Sequence, residues 1–269
     1  MDLNPQARQM ADESMVRNLA AQAEAIWPQE RGYFEGYALP AGAEVLDLGC
    51  GTGEISSRLA DVFPTARVTG VDILQVHIDY AAARYAALAP GLAFQVGDGY
   101  ALDFADDSVD LAVCRHLLQS VPQPERVVAE LARVLKPGGV LHLLAEDYAM
   151  MHFHPTQHDT DAFFHDGVIQ FGEKTGVDLR SGRRMYTVCR ELGLRDVTVR
   201  YVVVDTIRVD RDLFARIFEA WRDGYAETIA EHSGLALDHV SAIWNDMIAC
   251  IRNPDGYGVW LIPIISGTK

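Results

Sequence analysis

The chain has 269 residues, 49% of them apolar and 23% charged, a composition that excludes global disorder and suffices for one large core. Its formal charge is −15, from 38 acidic against 23 basic side chains. That excess argues against nucleic-acid binding, which needs a basic face, and against docking on an anionic membrane. Cys50, Cys114, Cys189 and Cys250 are too widely spaced for a CxxC pair or a disulfide framework and read as reduced core thiols. The stretch Met1 to Met15 is polar and unlike a signal peptide, and the longest apolar run, Val140 to Ala145, is too short to span a bilayer. A cytoplasmic protein is expected.

In chain order, a helix is predicted from about Ala11 to Ala25, broken at Pro28, Gly32 and Gly36. After Pro40, strands and helices alternate. Strands are expected at Val45–Leu48, Val68–Val71, Ala93–Val96, Val109–Cys114 and Val140–Ala145. Helices are expected at Glu54–Phe63, Gln75–Leu88 and Pro124–Leu135, the last carrying Val127, Val128, Leu131, Val134 and Leu135 on one face. Residues 147–180 read as an irregular segment rich in His and Phe. Then come a helix at about Gly182–Leu192, a strand at Val197–Asp205, two helical stretches within 210–253 and a final strand at Tyr257–Ile265. Pro263 lacks an N–H and suits an edge or a bulge. The pattern implies an α/β fold, a Rossmann-like, doubly wound, mostly parallel sheet of about seven strands. One domain is expected over 1–269, with an N-terminal helical cap (1–40), a ligand-binding core (41–146) and helical lid insertions (147–181 and 207–256).

The first strand runs into Gly49-Cys50-Gly51-Thr52-Gly53-Glu54. Three glycines in five residues let the backbone turn tightly against a ligand, at the carboxyl end of the sheet where such folds bind. Asp72, at the end of the second strand, is placed to accept both hydroxyls of a ribose, and Asp98, in Gly97-Asp98-Gly99, to accept from an exocyclic amine such as that of adenine. Glu54 stands where a dinucleotide fingerprint wants its third glycine, and a carboxylate there repels a pyrophosphate. Asp47 adds negative charge before the turn. Both suit S-adenosylmethionine, an adenosine compound with a sulfonium and no phosphate.

The stretches VLDLGCGTGE (45–54), VTGVDIL (68–74), FQVGDGYALDF (94–104) and DSVDLAVCRHLLQSVPQPERVVAELARVLKPGGVLHLLAED (107–147) resemble the successive motifs of class I S-adenosylmethionine-dependent methyltransferases, most of all the small-molecule, quinone-biosynthesis branch. The resemblance implies that Gly49, Gly51 and Gly53 face the methionine part, Asp72 the ribose and Asp98 the adenine, with Arg115 beside the cofactor. Asp47, Ile73, Gly97 and Gly99 complete the candidate cofactor set.

Methyl transfer is an in-line displacement activated by the cofactor itself, so the protein mainly aligns the partners and, for a weakly acidic O–H or N–H, supplies a base. The sequence after the fourth strand, Cys114-Arg115-His116-Leu117, lacks the Asn/Asp-Pro-Pro-aromatic motif of amino-group methylases of DNA bases and glutamine. Candidate catalytic groups are His116, His152, His154 and Tyr148. Three readings stay open for the histidines: a general base facing the substrate, packed or solvated histidines of a lid, or a metal held by His152, His154, His158, Asp159 and Asp161. No metal is expected, and His142, in mid-strand, reads as a satisfied core residue.

The aromatic inserts, with Tyr148, Phe153, Phe163, Phe164, Phe171, Trp221, Tyr225 and Trp244, favour a flat, small acceptor under a lid that excludes water. The expected activity is methyl transfer to O or N of a small aromatic or heteroaromatic molecule. A non-catalytic methyltransferase-like binding protein, a methyltransferase acting on a protein or RNA, and a nicotinamide oxidoreductase are the rivals. A homodimer is allowed by the sequence, with no nucleic-acid or membrane partner expected.

Overall fold

The computed structural model describes residues 4–269. Eight strands form one sheet: β1 (Glu44–Leu48), β2 (Arg67–Asp72), β3 (Leu92–Val96), β4 (Val109–Arg115), β5 (Leu135–Leu144), β6 (Met151–His154), β7 (Arg195–Asp205) and β8 (Tyr257–Thr268). The order is β3-β2-β1-β4-β5-β8-β6, with β7 also paired to β8. β1 to β5 are parallel, and β8 runs antiparallel to β5, β6 and β7. This is the doubly wound, Rossmann-like sheet, with its switch point between β1 and β4, where loops leave in opposite directions and open a crevice.

The helices are α1 (Ala7–Met10), α2 (Glu13–Glu35), α3 (Glu54–Val62), α4 (Gln75–Arg84), α5 (Pro124–Val134), α6 (Thr160–Phe163), α7 (Gln170–Thr175), α8 (Gly182–Glu191), α9 (Arg211–Ser233) and α10 (Leu237–Arg252). Among the described residues no helix is long and apolar enough to cross a membrane. One apolar cluster joins α5 and α8 to the sheet, and a second, containing Phe34 and Leu59, joins α2 and α3 to it. The largest lies under α9 and α10 and is centred on Trp221, Trp244, Phe218 and Trp260.

Three expectations need correction. The helix predicted to break at Pro28 runs through it to Glu35. Ile26, Glu30 and Phe34, one turn apart, are all fully buried, and that packing offsets the lost backbone bond, which costs about 3 kcal/mol. The segment at 147–180 is not irregular: it contains β6, α6, a π-helical turn at Phe164–Ile169 and α7. Pro263 sits in an interior strand, not at an edge. Its carbonyl accepts from Ala145 N (3.1 Å), and Leu261 N, two residues earlier on the same side, donates to Met150 O (3.0 Å). The missing N–H therefore faces the gap where β5 has ended and β6 has not begun.

Candidate active site

The turn after β1 is pulled onto β2: Gly49 N and Cys50 N both donate to Val71 O, at 2.8 and 3.0 Å. Gly51, at φ +51°, donates its N–H to Asp72 Oδ2 at 2.9 Å, and a Cβ there would lie 2.9 Å from Leu19 Cδ1. Asp72 Oδ1 accepts from Leu74 N at 2.9 Å, so the carboxylate is held from both sides at the mouth of the crevice. Gly53 lies outside the cleft lining; its missing side chain makes room for Phe94, 2.7 Å from where a Cβ would stand.

The crevice has about 880 Å³ of space, and Asp47, Gly49, Gly51, Asp72, Ile73 and Arg115 line it. An adjoining recess of about 370 Å³ brings in Gly97, Asp98 and Gly99, sharing Asp72 and Ile73 with the first. Asp47 is buried and accepts from Ser56 Oγ at 2.6 Å; burial pushes its carboxyl up to about 6. Glu54 also lines the crevice and pairs with Arg84 Nη2 at 3.0 Å.

Sequence reasoning missed what holds Arg115. Its Nε donates to Glu30 Oε1 at 2.8 Å, and Nη2 stands 2.8 Å from Oε2, off hydrogen-bond angle. Glu30 Oε1 is 3.1 Å from His142 Nε2, and His142 Nδ1 is 2.8 Å from Tyr37 Oη. Burial alone would raise the Glu30 carboxyl, but Arg115 and His142 outweigh it and hold it down at about 2. The available signal was the i, i+4, i+8 spacing of Ile26, Glu30 and Phe34, which sets one carboxylate on an apolar helix face.

His116 follows Arg115 at φ +54°, its N–H bonded to Leu144 O at 3.0 Å. Its Nδ1 contacts Glu146 Oε1, while Glu146 Oε2 accepts from Trp260 Nε1 at 3.2 Å. Its Nε2 is buried without a protein partner. His116 lines both the crevice and a second cavity of about 640 Å³ walled by Tyr148, Phe164, Phe171, Trp221 and Trp244. Gln6, Met10, Leu19 and Gln22 line both spaces too, so the N-terminal segment roofs the junction. Tyr148 packs edge-on against Trp221 at 5.6 Å, and burial pushes its phenol well above the ordinary value of 10.

The other two candidate bases are not brought to this site. On β6, Met151 and Phe153 face the core while His152 and His154 are exposed. The two histidines share a side, as an extended segment requires, but it is the solvent side. His152 Nδ1 contacts Asp161 Oδ1 at 3.1 Å, His158 Nδ1 contacts Asp246 Oδ2 at 3.0 Å, and Asp159 caps α6 through Ala162 N at 2.9 Å. Among the described residues no group of three or more His, Cys, Asp or Glu is arranged to hold a metal ion.

Residues 45–139 match the family model described as a methyltransferase domain. The chain is 39% identical over 100 residues to the ubiquinone/menaquinone biosynthesis C-methyltransferase of Desulfotalea psychrophila, a match covering 37% of this chain and only 40% of that relative. It is 30% identical over 199 residues to the ubiquinone biosynthesis O-methyltransferase of Coxiella burnetii, covering 67% of this chain and 84% of that one. The chain belongs to the class I S-adenosylmethionine-dependent methyltransferases. A solved methyltransferase structure shares the fold: phosphoethanolamine N-methyltransferase 2 of Haemonchus contortus, in complex with phosphomonomethylethanolamine and S-adenosylhomocysteine. It has a TM-score of 0.62 at 17% identity, with 98% of this chain and 59% of that one covered.

The cofactor of this methyltransferase is S-adenosylmethionine, and the crevice residues fit it. Both ring nitrogens of His77 are buried there without partners, its Nδ1 3.7 Å from Asp72 Oδ1. Carboxylates from Asp47, Glu54 and Asp72 line a space whose backbone approach is kept open by Gly51. That donor set favours a cationic, phosphate-free adenosyl compound over a diphosphate.

Proposed function

We propose that this protein methylates an oxygen or nitrogen of a small, ring-bearing molecule held in the aromatic cavity, with His116 as the base. The bound cofactor would supply an electrophilic methyl group. The observation that carries the reading is the position of His116, between crevice and cavity with Nε2 free and Nδ1 tied to Glu146. The Glu146 contact selects the tautomer with Nδ1–H, leaving the Nε2 lone pair to accept the acceptor's proton and stabilising the imidazolium that results. Trp260 occupies the other Glu146 oxygen and fixes the carboxylate's orientation. Asp72 and Asp98 would bind the ribose and the adenine, and Asp47 and Arg115 would border the methionine part. The aromatic walls would exclude water and hold a planar group by stacking.

The relatives named for quinone biosynthesis support a small-molecule acceptor, and four buried free cysteines suit a reducing, cytoplasmic setting. The test is S-adenosylhomocysteine production from S-adenosylmethionine over a panel of phenols, hydroxyquinolines and anilines. Turnover of at least one is expected. Cofactor binding with no turnover across the panel would instead favour a non-catalytic binding protein.

A further inference from the structure

The aromatic cavity has polar atoms at its margins that the protein itself leaves unused. Trp244 Nε1, Gln6 Nε2, Gln119 Oε1 and Asn18 Oδ1 are buried without partners, as is His116 Nε2. Trp244, Gln119 and Asn18 are 3%, 4% and 1% exposed, so water does not satisfy these atoms freely. Buried polar groups are ordinarily paired, and several orphans on residues that line one cavity point to the groups a ligand brings. Two are donors, Trp244 N–H among the aromatic walls and the Gln6 amide on the N-terminal segment, and each asks for an acceptor such as a carbonyl or ether oxygen. The amide oxygens of Gln119 and Asn18 ask for donors, and His116 Nε2 asks for the reacting O–H or N–H.

The electrostatics of the cavity are one-sided. None of its described lining residues is a lysine or arginine, and its one carboxylate, Glu146, is fully buried and committed to His116 and Trp260. An anionic acceptor entering would be stripped of water without a counter-charge and would face Glu146. A cation would find aromatic faces, but Glu146 is already engaged and cannot pair with it without releasing His116.

We infer that the acceptor is an uncharged, largely apolar ring compound with a hydroxyl or N–H at the end that reaches His116 and a hydrogen-bond acceptor for Trp244, and that the cavity rejects anionic analogues of the same shape. The inference rests on reading this cavity as the acceptor site. The residues that set the choice are Glu146, which repels negative charge, and Trp244, which reads the distal oxygen.

The test uses three probes of one shape: an acetylnaphthol, the matching hydroxynaphthoate and the matching aminomethylnaphthol. Plain naphthol is the control. Binding is measured by calorimetry on the full-length protein saturated with S-adenosylhomocysteine at pH 7.5. The acetylnaphthol should bind roughly tenfold or more tightly than the carboxylate, the desolvated charge being uncompensated, and at least as tightly as the ammonium compound. Trp244→Phe should weaken acetylnaphthol about threefold to tenfold relative to plain naphthol, the control separating a lost hydrogen bond from lost packing. Carboxylate binding equal to or tighter than the ketone's, tighter binding of the ammonium compound, or no binding of the acetylnaphthol overturns the proposal; an unchanged ratio in Trp244→Phe overturns Trp244's part in it.

Methyl transfer to the same probes is scored separately. The expected binding order without turnover upholds the cavity's selectivity and removes the methyl-transfer reading. Comparable turnover of ketone and carboxylate does the reverse.

Discussion

Glu30 and Arg115, 85 residues apart in sequence, meet in the interior at 2.8 Å with both side chains out of solvent. The contact fastens the middle of α2 to the carboxyl end of β4, beside the crevice. It also keeps the guanidinium in one place, so that a residue the family resemblance puts next to the cofactor cannot swing away. The pair therefore links the N-terminal cap to the site.

Removing one partner of a buried ion pair strands the other charge, at a cost of about 3–5 kcal/mol. Glu30→Gln keeps the shape and loses the charge, so a loss towards the lower end, about 3 kcal/mol, is expected at pH 7 by urea unfolding. Glu30's folded carboxyl lies at about 2, below its ordinary 4.5, so its contribution is complete above pH 4.5 and fades as pH falls towards 2. The gap between wild type and variant should narrow with acidification. The KM for S-adenosylmethionine should rise in parallel. A variant as stable as the wild type would show that the pair anchors nothing.

His116→Ala should lower kcat by about 10²–10⁴-fold, the usual contribution of a positioned base, with the Kd of S-adenosylhomocysteine changed little. Glu146→Gln retains a hydrogen-bond acceptor but loses the charge that supports the imidazolium, so a smaller fall of roughly ten- to a hundredfold is expected. Steady-state kinetics and cofactor titration on the same preparations separate these effects. Equal loss of cofactor binding and turnover in His116→Ala would point to misfolding of the loop after β4, not to a missing base.

Asp47 moves in the opposite sense to Glu30. Its carboxyl is raised to about 6 from an ordinary 3.8, so between those values the folded protein holds a proton that the unfolded chain has released. Stability is therefore lost as pH rises through that window, and Asp47 is a cost at neutral pH. Asp47→Asn lacks this titration. Relative to the variant, the wild type should lose on the order of 1–3 kcal/mol between pH 4 and pH 7, read from urea melts. A difference that stays flat with pH would mean that Asp47 titrates normally. Because an ionised Asp47 favours a cationic ligand, cofactor binding near pH 6 should release protons, measurable by calorimetry in buffers of different ionisation enthalpy.

Pro28 interrupts the hydrogen-bond ladder of α2 from an exposed position. Pro28→Ala restores a backbone donor and should stabilise the fold by about 1–3 kcal/mol, seen as a higher urea midpoint. No gain would indicate that the helix is bent there to seat Phe34.

The parts legible from sequence were those encoded over short stretches. The glycines at 49 and 51, the strand-end Asp72 and Asp98, and the alternation of apolar strands with one-faced helices all act within a few tens of residues. That is why β1 to β5 and the crevice can be placed from the order of residues alone. The packing of Gly53 against Phe94, away from the cleft, is not visible at that range. The period-two pattern of Met151, His152, Phe153 and His154 also carried its answer, since apolar residues turned inward put both histidines outside. Density of histidine in the segment was the weaker guide.

What sequence by itself determined is thus the cofactor-binding half: a parallel sheet end with a glycine-rich turn and strand-end carboxylates, the place for S-adenosylmethionine. Tertiary structure alone decided which histidine stands between crevice and cavity, because His116, Glu146 and Trp260 come from three separate places in the chain, with Trp260 lying 114 residues beyond Glu146. It likewise decided that Glu30 holds Arg115 beside the crevice and that α2 continues through a proline. Local preference is worth about a kilocalorie per residue, whereas burying a helix face or pairing a desolvated charge is worth several, and those stronger interactions arise only once distant segments have met.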